Sequence, residues 1–305
     1  MSYISKKFFL PQPKFAFRFL MDEFNITMGE AQKIIDKQRV FVEDELLSNK
    51  GSKIVGNVSV IVFEGHSKGL MPVFETEDFA IFEKPSGVMM HPKNRSDEYT
   101  LNDEIKSLYG DGANCAHRID KSTSGLVLVG KHKHSEIELK ALFASRSIKK
   151  KYLALVEGRF EKEMFIDAPL KRGNDSNEIR LKVYVDERGK ISQTKIVPLE
   201  YFDDKNVTLI EASPLTGRQH QIRAHMFHVK HKIVGDSIYG LEEIDAMRFL
   251  DGKMSEEERI EKTRASRLLL HAQSLEFIYK DISYHIESTF EAKKEFYEFC
   301  QKDEK

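Results

Sequence analysis

Four stretches between residues 84 and 272 concentrate side chains able to do chemistry: "KPSGVMMHP" (84–92), "HRIDKSTSGLVLVGK" (117–131), "KKKYLALVEG" (149–158) and "SPLTGRQHQIRAHMFHVKHKIVGDSIYG" (213–240). The second holds a candidate catalytic carboxylate, Asp120, in a polar loop that runs straight into an apolar segment. Taken alone, a loop Asp is more often a turn-former or cap than a catalyst. A catalytic carboxylate with no metal beside it needs a cation to stay ionised in a closed site, because burial otherwise raises its pKa. Arg118, Arg218 and Arg223 are chemically suited, and their spacing does not show which of them reaches Asp120.

Other chemistries have weaker support. His220, His225, His228 and His231 include HxxH spacings, and imidazole is a common zinc ligand. There is no HExxH, however, and no Cys or carboxylate close enough in sequence to complete an obvious set, so polar or phosphate-contacting histidines are the preferred reading and no metal is expected. No GxxxxGK[ST], no GxGxxG after a strand and no GxSxG elbow is present, which leaves no nucleotide or nicotinamide motif. Cys115 and Cys300 lie far apart and form no CxxC, so neither a disulfide framework nor a Cys-based zinc site is indicated.

The elements that must position these residues sit in a chain of 305 residues, enough for about two domains at roughly 150 residues each. Hydrophobic residues at 40% and charged residues at 32% describe a folded, soluble balance rather than a disordered one. The longest apolar runs are only a few residues, far short of the roughly 20 that span a bilayer. Lys6 and Lys7 precede Phe8, Phe9 and Leu10, but Pro11 and Pro13 follow at once; this is too short for a signal peptide, and a cytoplasmic location is expected. The net charge of -1 hides an uneven distribution. Residues 115–240 carry 23 basic against 16 acidic side chains and seven of the eleven histidines, while 71–114 and 241–305 are acidic. A basic centre of this kind can mark a polyanion-binding face, though chance clustering on solvated faces produces the same pattern.

Residues 14–65 read as a small separate unit. Phe17, Leu20, Met21 and Phe24 recur at helical spacing; Asn25 and Ile26 break the pattern, and Thr27 with Glu30 forms a capping box for a second helix. Lys33 and Lys37 can point outward from that helix, while Ile34 and Ile35 lie on its buried side. Val40–Val42 and Val58–Phe63 read as strands and Glu43–Glu45 as a turn, with a short polar linker at 66–73 to follow. From Phe74 the texture changes to short apolar strands between helices: strands at 79–83, 126–129, 152–156 and 207–212, helices at 100–108, 135–143 and 217–229. Strands and helices do not alternate regularly, so the fold class expected is α+β with a mixed sheet, rather than a doubly wound parallel one. Residues 241–267 are highly charged and read as a surface helical insertion.

The helix–helix–strand–turn–strand order around "GEAQKIIDKQRVFVEDE" resembles the S4 RNA-binding module, which implies that Lys33, Lys37 and Arg39 lie near phosphates. "HRIDKSTSG" resembles the signature of the RluA-type RNA pseudouridine synthases, with Ile119 where Leu is usual. "KPSG", "YLALVEG", "LTGRQHQIRAH", "GDSIYG" and "RLLLHA" match further family blocks in order. The resemblance covers roughly residues 14–290 and implies a mainly antiparallel catalytic domain over 74–300, preceded by a small α/β S4-like domain at 14–65. It also implies an isomerase that breaks the C1′–N1 bond of a uridine, rotates the base and forms C1′–C5. No atom is gained and no electron transferred, so the reaction requires no cofactor. By resemblance Asp120 is the essential residue, acting either at C1′ or as a base at C2′. Arg223 is its ion-pair partner, and Tyr152 the active-site ring that stacks on uracil, with its hydroxyl near the proton leaving C5. Arg118, next to the catalytic loop, is a candidate either to occupy the space the flipped base vacates or to contact a phosphate, with a simple loop salt bridge as the plainer alternative. Arg218 and His220 are candidate site-wall donors, and Lys149 and Lys150 are among the lysines that would attract the RNA backbone. The expected partner is structured RNA, with ribosomal RNA favoured and tRNA open; no membrane and no obligate protein partner are inferred, and a monomer is the default. A non-catalytic RNA-binding or ribosome-assembly factor is the competing class, and a metal-dependent RNA hydrolase using the histidines a third.

Overall fold

The first apolar periodicity corresponds to the helix Ala16–Phe24, which buries Ala16, Phe19 and Leu20. It ends at Asn25, whose left-handed backbone (φ 50°) lets its N–H donate to the Met21 carbonyl. The helix Met28–Asp36 then starts from the expected capping box: Thr27 Oγ1 accepts from the Glu30 N–H, and the Thr27 N–H donates to Glu30 Oε2 at 3.0 Å. The computed structural model describes residues 3–92, 98–173, 179 and 181–301. These divide into two compact units, Met1–Lys68 with Pro92–Tyr99, and Gly69–His91 with Thr100–Lys305.

In the first unit the two helices cover one face of a four-stranded sheet ordered Tyr3–Phe15, Lys53–Phe63, Val40–Val42, Glu45–Leu46. The strand Tyr3–Phe15 is a departure from the sequence reading, which began the unit at residue 14 and took nothing before it as a strand. Two prolines and three lysines disguise it. The strand lies at the sheet edge, where proline's missing N–H does no harm, and its register with Lys53–Phe63 breaks between Leu10 and Lys14, around Pro11 and Pro13.

The second unit is built on a mixed, mainly antiparallel sheet with ten strands among the described residues. Its middle matters most. Lys149–Glu157 runs between Val207–Pro214 and Leu270–Tyr279, antiparallel to both, and Leu270–Tyr279 pairs parallel with Ser124–Gly130. All seven residues of Ser124–Gly130 are buried, which explains their continuous apolar run. The helix Lys133–Ala144 packs against this strand, and Leu101–Tyr109 starts from the expected Thr100–Asp103 capping box. Among the described residues no helix is long and apolar enough to cross a membrane.

Two elements differ from expectation. The helix expected over 217–229 spans only Gln221–His228, because His220 takes a left-handed backbone (φ 53°) and residues 216–220 form a turn. The Gln221 side-chain carbonyl closes that turn, accepting from the Arg218 N–H and the Thr216 hydroxyl. The charged segment 241–267 is indeed helical, as Glu243–Leu250 and Glu256–Thr263, but it is more than surface: Ala246 is fully buried in a cluster with Leu170, Val183 and Tyr239. Its charges pair among themselves, Lys262 with Asp245 at 2.8 Å and Arg248 with Glu258, leaving the apolar side free to cover Tyr239.

Gly125 fixes how closely the two central strands meet. At φ +110° a Cβ there would lie 2.4 Å from the Ala272 carbonyl oxygen and 2.6 Å from its nitrogen. Gly125→Ala is therefore expected to destabilise the protein by about 3 kcal/mol, from strain and clash together. Urea unfolding checks this; a wild-type midpoint would show that the contact is slack.

Candidate active site

Asp120 sits in the loop that precedes Ser124–Gly130, and that loop is clamped from one side by the first motif. The Gly87 N–H donates to the Lys121 carbonyl at 2.8 Å, and the Ser86 hydroxyl to the Ser122 carbonyl at 2.7 Å. Lys84, fully buried, donates from Nζ to the carbonyls of Pro85, Val88 and Lys121 at 2.8, 2.7 and 3.1 Å. Burial pushes Lys84 down to about 7, against the opposing pull of Asp120. Three donated bonds use all three hydrogens of an ammonium, so the geometry favours its charged form. "KPSG" thus positions the Asp120 loop, a role the sequence reading did not assign.

Across the cleft, Arg223 on the helix Gln221–His228 places Nη1 3.5 Å from Asp120 Oδ2. This is the pair the sequence led us to expect, but it is not the strongest bond Arg223 makes. Its Nε and Nη2 donate to Asp236 Oδ2 and Oδ1, both at 2.7 Å, in a fork whose two side chains are almost wholly out of solvent. Asp236 also accepts from the backbone N–H groups of Ile238 and Tyr239, at 2.9 Å each. Burial opposes both charges. The paired charge and the hydrogen bonds prevail, so the Asp236 carboxyl is held below its usual range and the Arg223 guanidinium above its own. Asp236 was missed because we sought cations for Asp120 and not a counter-charge for Arg223. It is the one carboxylate in the 213–240 stretch, and a buried arginine demands one.

Tyr152 lies on the central strand directly opposite Ala212 on one side and Ala272 on the other, small neighbours that leave room for its ring. Burial, then the charge on Asp120, raises its pKa, so the phenol stays protonated. Asp120, Tyr152 and Arg223 line one cleft of about 630 Å³, together with Arg118, Arg218, His220 and Lys150. That volume suits a small ligand or a single flipped nucleotide. Its described lining carries five cations, Arg118, Arg146, Lys150, Arg218 and Arg223, and one carboxylate, Asp120. Arg146 was not singled out from the sequence, since nothing local distinguishes a lone arginine after a helix.

The remaining candidates lie elsewhere. Lys149 is exposed and pairs with Glu276 on the neighbouring strand at 2.6 Å. Lys33 and Lys37 are exposed in the first unit, and the Arg39 guanidinium there covers the Tyr3 ring. The histidines do not act together. His225 contacts Thr194 Oγ1 and the Ala168 carbonyl, and His231 Nδ1 contacts the Glu157 carbonyl. His220, 3.9 Å from Asp120, is pushed down to about 4 by burial and then by Arg223, so it is neutral at pH 7. Among the described residues no group of three or more His, Cys, Asp or Glu side chains could hold a metal ion.

The cleft is thus cation-rich and large enough for a single base, with one carboxylate held opposite an anchored arginine. Comparison with known proteins gives the chain a family. Residues 78–228 match the RNA pseudouridylate synthase family. An uncharacterized RNA pseudouridine synthase of Helicobacter pylori (strain ATCC 700392 / 26695) is 39% identical over 289 residues, 94% of each chain. Ribosomal large subunit pseudouridine synthase D of Zymomonas mobilis is 34% identical over 68% of this chain and 64% of its own. The tRNA pseudouridine(31) synthase of Saccharomyces cerevisiae is 34% identical over 57% and 47%. Among solved structures, human RNA pseudouridylate synthase domain containing 1 superposes with a TM-score of 0.58 at 26% identity, covering 75% of this chain and 86% of that one. The chain belongs to the RNA pseudouridine synthases of the RluA type, which are RNA isomerases.

His117, at the start of the Asp120 loop, offers a test of how tightly the loop is held. Its Nε2 accepts the Leu128 N–H at 3.0 Å and its ring stacks on Phe143 at 4.4 Å, so the ring must be neutral. Burial, then the charge of Lys150, pushes it from 6.5 down to about 3. The unfolded chain takes up this proton near 6.5 and the folded one only near 3, so the stability contribution is complete above pH 6.5 and declines as pH falls toward 3. His117→Gln is expected to flatten the stability profile between pH 6.5 and 4, measured by urea unfolding. Parallel profiles would show that His117 is free to protonate in place.

Proposed function

We propose that this chain converts uridine to pseudouridine in structured RNA with Asp120 as its catalytic carboxylate. The observation that carries this reading is the placement of Asp120 3.5 Å from Nη1 of an arginine whose Nε and Nη2 are bound to Asp236. Asp120 then feels a fixed positive charge without being locked into a fork of its own, and its oxygens stay free to react. The target base must leave its helix, at a cost of a few kcal/mol, and the vacated space is filled or its phosphates are held by Arg118 and Arg218 at the cleft wall. Asp120 acts at C1′ or removes a proton at C2′; either route breaks C1′–N1 and releases the uracil as an anion. The base rotates against Tyr152 and bonds through C5 to C1′, as the Asp120–C1′ bond breaks in the first route or as the proton taken by Asp120 returns to C2′ in the second. C5 loses its proton and N1 gains one, so atoms balance. A phenol held protonated suits stacking and steering of the base better than proton abstraction at C5.

Ribosomal RNA of the large subunit is the favoured substrate, with the first unit acting as an S4-like RNA-binding module and the protein as a monomer. The relatives bear names of both ribosomal and tRNA enzymes, so mapping pseudouridines in total RNA with and without this protein decides between them.

Asp120→Asn is expected to lower tritium release from C5-labelled uridine in RNA by about three orders of magnitude or more, while RNA binding survives. Full activity in that variant would sink the assignment. Tight RNA binding by the wild type with no pseudouridine in any cellular RNA would instead favour a binding factor.

A further inference from the structure

The four-stranded sheet of the first unit has two unlike faces. Leu10, Ile54, Val58 and Val60 are buried beneath the helices Ala16–Phe24 and Met28–Asp36. Because side chains alternate along a strand, Tyr3, Lys7 and Phe9 project to the opposite face, as does Phe41, between the core residues Val40 and Val42. Tyr3 pairs in register with Phe63, and their rings meet edge to face at 5.4 Å. The Arg39 guanidinium lies 4.8 Å from the Tyr3 ring centre and donates to the Tyr3 hydroxyl at 3.1 Å. Lys7 and Phe41 both oppose Ser59, from its two sides, so cation and ring share one row across the sheet. Phe9 is 70% exposed.

Burial cannot explain a phenylalanine left in water. Lysines on an edge strand are a familiar guard against edge-to-edge pairing, which accounts for Lys6 and Lys7 but not for the rings. Aromatic rings interleaved with cations on an open sheet are what single-stranded nucleic acid requires: every base has a face to stack, and every phosphate a charge to meet. From Tyr3 to Phe9 the strand extends about 20 Å at roughly 3.3 Å per residue, room for several nucleotides. Glu43, at the end of the same sheet, is occupied by the backbone N–H and side-chain amide of Asn57.

We propose that this sheet face binds a single-stranded segment of RNA, stacking bases on Phe9, Phe41 and the Tyr3–Phe63 pair while Lys7 and Arg39 meet phosphates. The proposal rests on the reading that the chain acts on RNA. It differs from the expectation of contact through Lys33 and Lys37 on the helix, and it transfers Arg39 from that set to the sheet.

The test uses the full chain and a fluorescein-labelled single-stranded oligouridylate, with the same strand annealed to its complement as comparison. Wild type should bind the single strand in preference to the duplex. Phe9→Ala should weaken that binding about fivefold or more, and Lys7→Gln should lower the salt slope by about 0.7. With structured RNA the Phe9→Ala loss should appear in KM rather than kcat, whereas Ile244→Ala, equally exposed in the second unit, should match wild type in every measurement. Wild-type affinity in Phe9→Ala, or no preference for the single strand, overturns the proposal while leaving the enzyme reading intact. So does a Phe9-dependent dimer in sedimentation that forms without RNA. A wild-type protein that binds the oligonucleotide but makes no pseudouridine in any RNA would overturn the enzyme reading alone.

Discussion

Two buried charges, Arg223 and Asp236, set the geometry on which the cleft depends. Removing an ion pair from water is costly, and the cost is recovered here because the fork is bidentate and two backbone N–H groups complete the carboxylate. Loss of either partner would leave an uncompensated charge, at a cost of about 3–5 kcal/mol. What the pair provides is direction. With Nε and Nη2 committed to Asp236, Nη1 is the edge of the guanidinium turned toward Asp120. The Tyr239 ring, 5.3 Å from the guanidinium carbon, covers the cation, and the buried Ala246 of the charged segment lies in the cluster that includes Tyr239.

The opposite wall of the cleft is held by a different device. The Asp120 loop has little regular structure of its own, so backbone carbonyls of Lys121 and Ser122 would be left to water without the "KPSG" segment beneath them. Lys84 uses a full charge to hold three carbonyls, and Ser86 and Gly87 complete the clamp. The close approach of Gly125 to Ala272 joins this loop's strand to the strand beside Tyr152. The geometry of the cleft thus comes from an anchored arginine on a helix, a clamped carboxylate on a loop and a central strand between them. A reaction that moves a base between two bonds at one sugar carbon benefits from such preorganised charge.

Much of this was legible in the sequence, for reasons that differ by residue. Capping boxes at Thr27 and Thr100 are local chemistry, and both helices begin where those residues place them. Apolar runs such as 126–129 announced buried strands. The α+β class followed from strands and helices that do not alternate regularly, whereas the grouping of Asp120, Tyr152 and Arg223 followed from matched motifs. The misses are long-range or disguised. Asp236 acts through a contact thirteen residues away that no spacing rule names, and Lys84 through one to a loop 37 residues on. The strand Tyr3–Phe15 hid behind prolines that only an edge tolerates, and the start of the 221–228 helix was displaced by a left-handed His220.

The most direct test is a double-mutant cycle on the rate of pseudouridine formation under single-turnover conditions, with Arg223→Lys, Asp236→Asn and the combined variant, each measured where it remains folded. Lysine keeps the charge but cannot make the fork. If Asp236 acts by aiming Arg223, the two losses overlap, and the double variant is scarcely slower than the worse single one, a coupling of about 2 kcal/mol or more. Losses that simply multiply would show that Asp236 does not work through Arg223 and would contradict the anchored-arginine site.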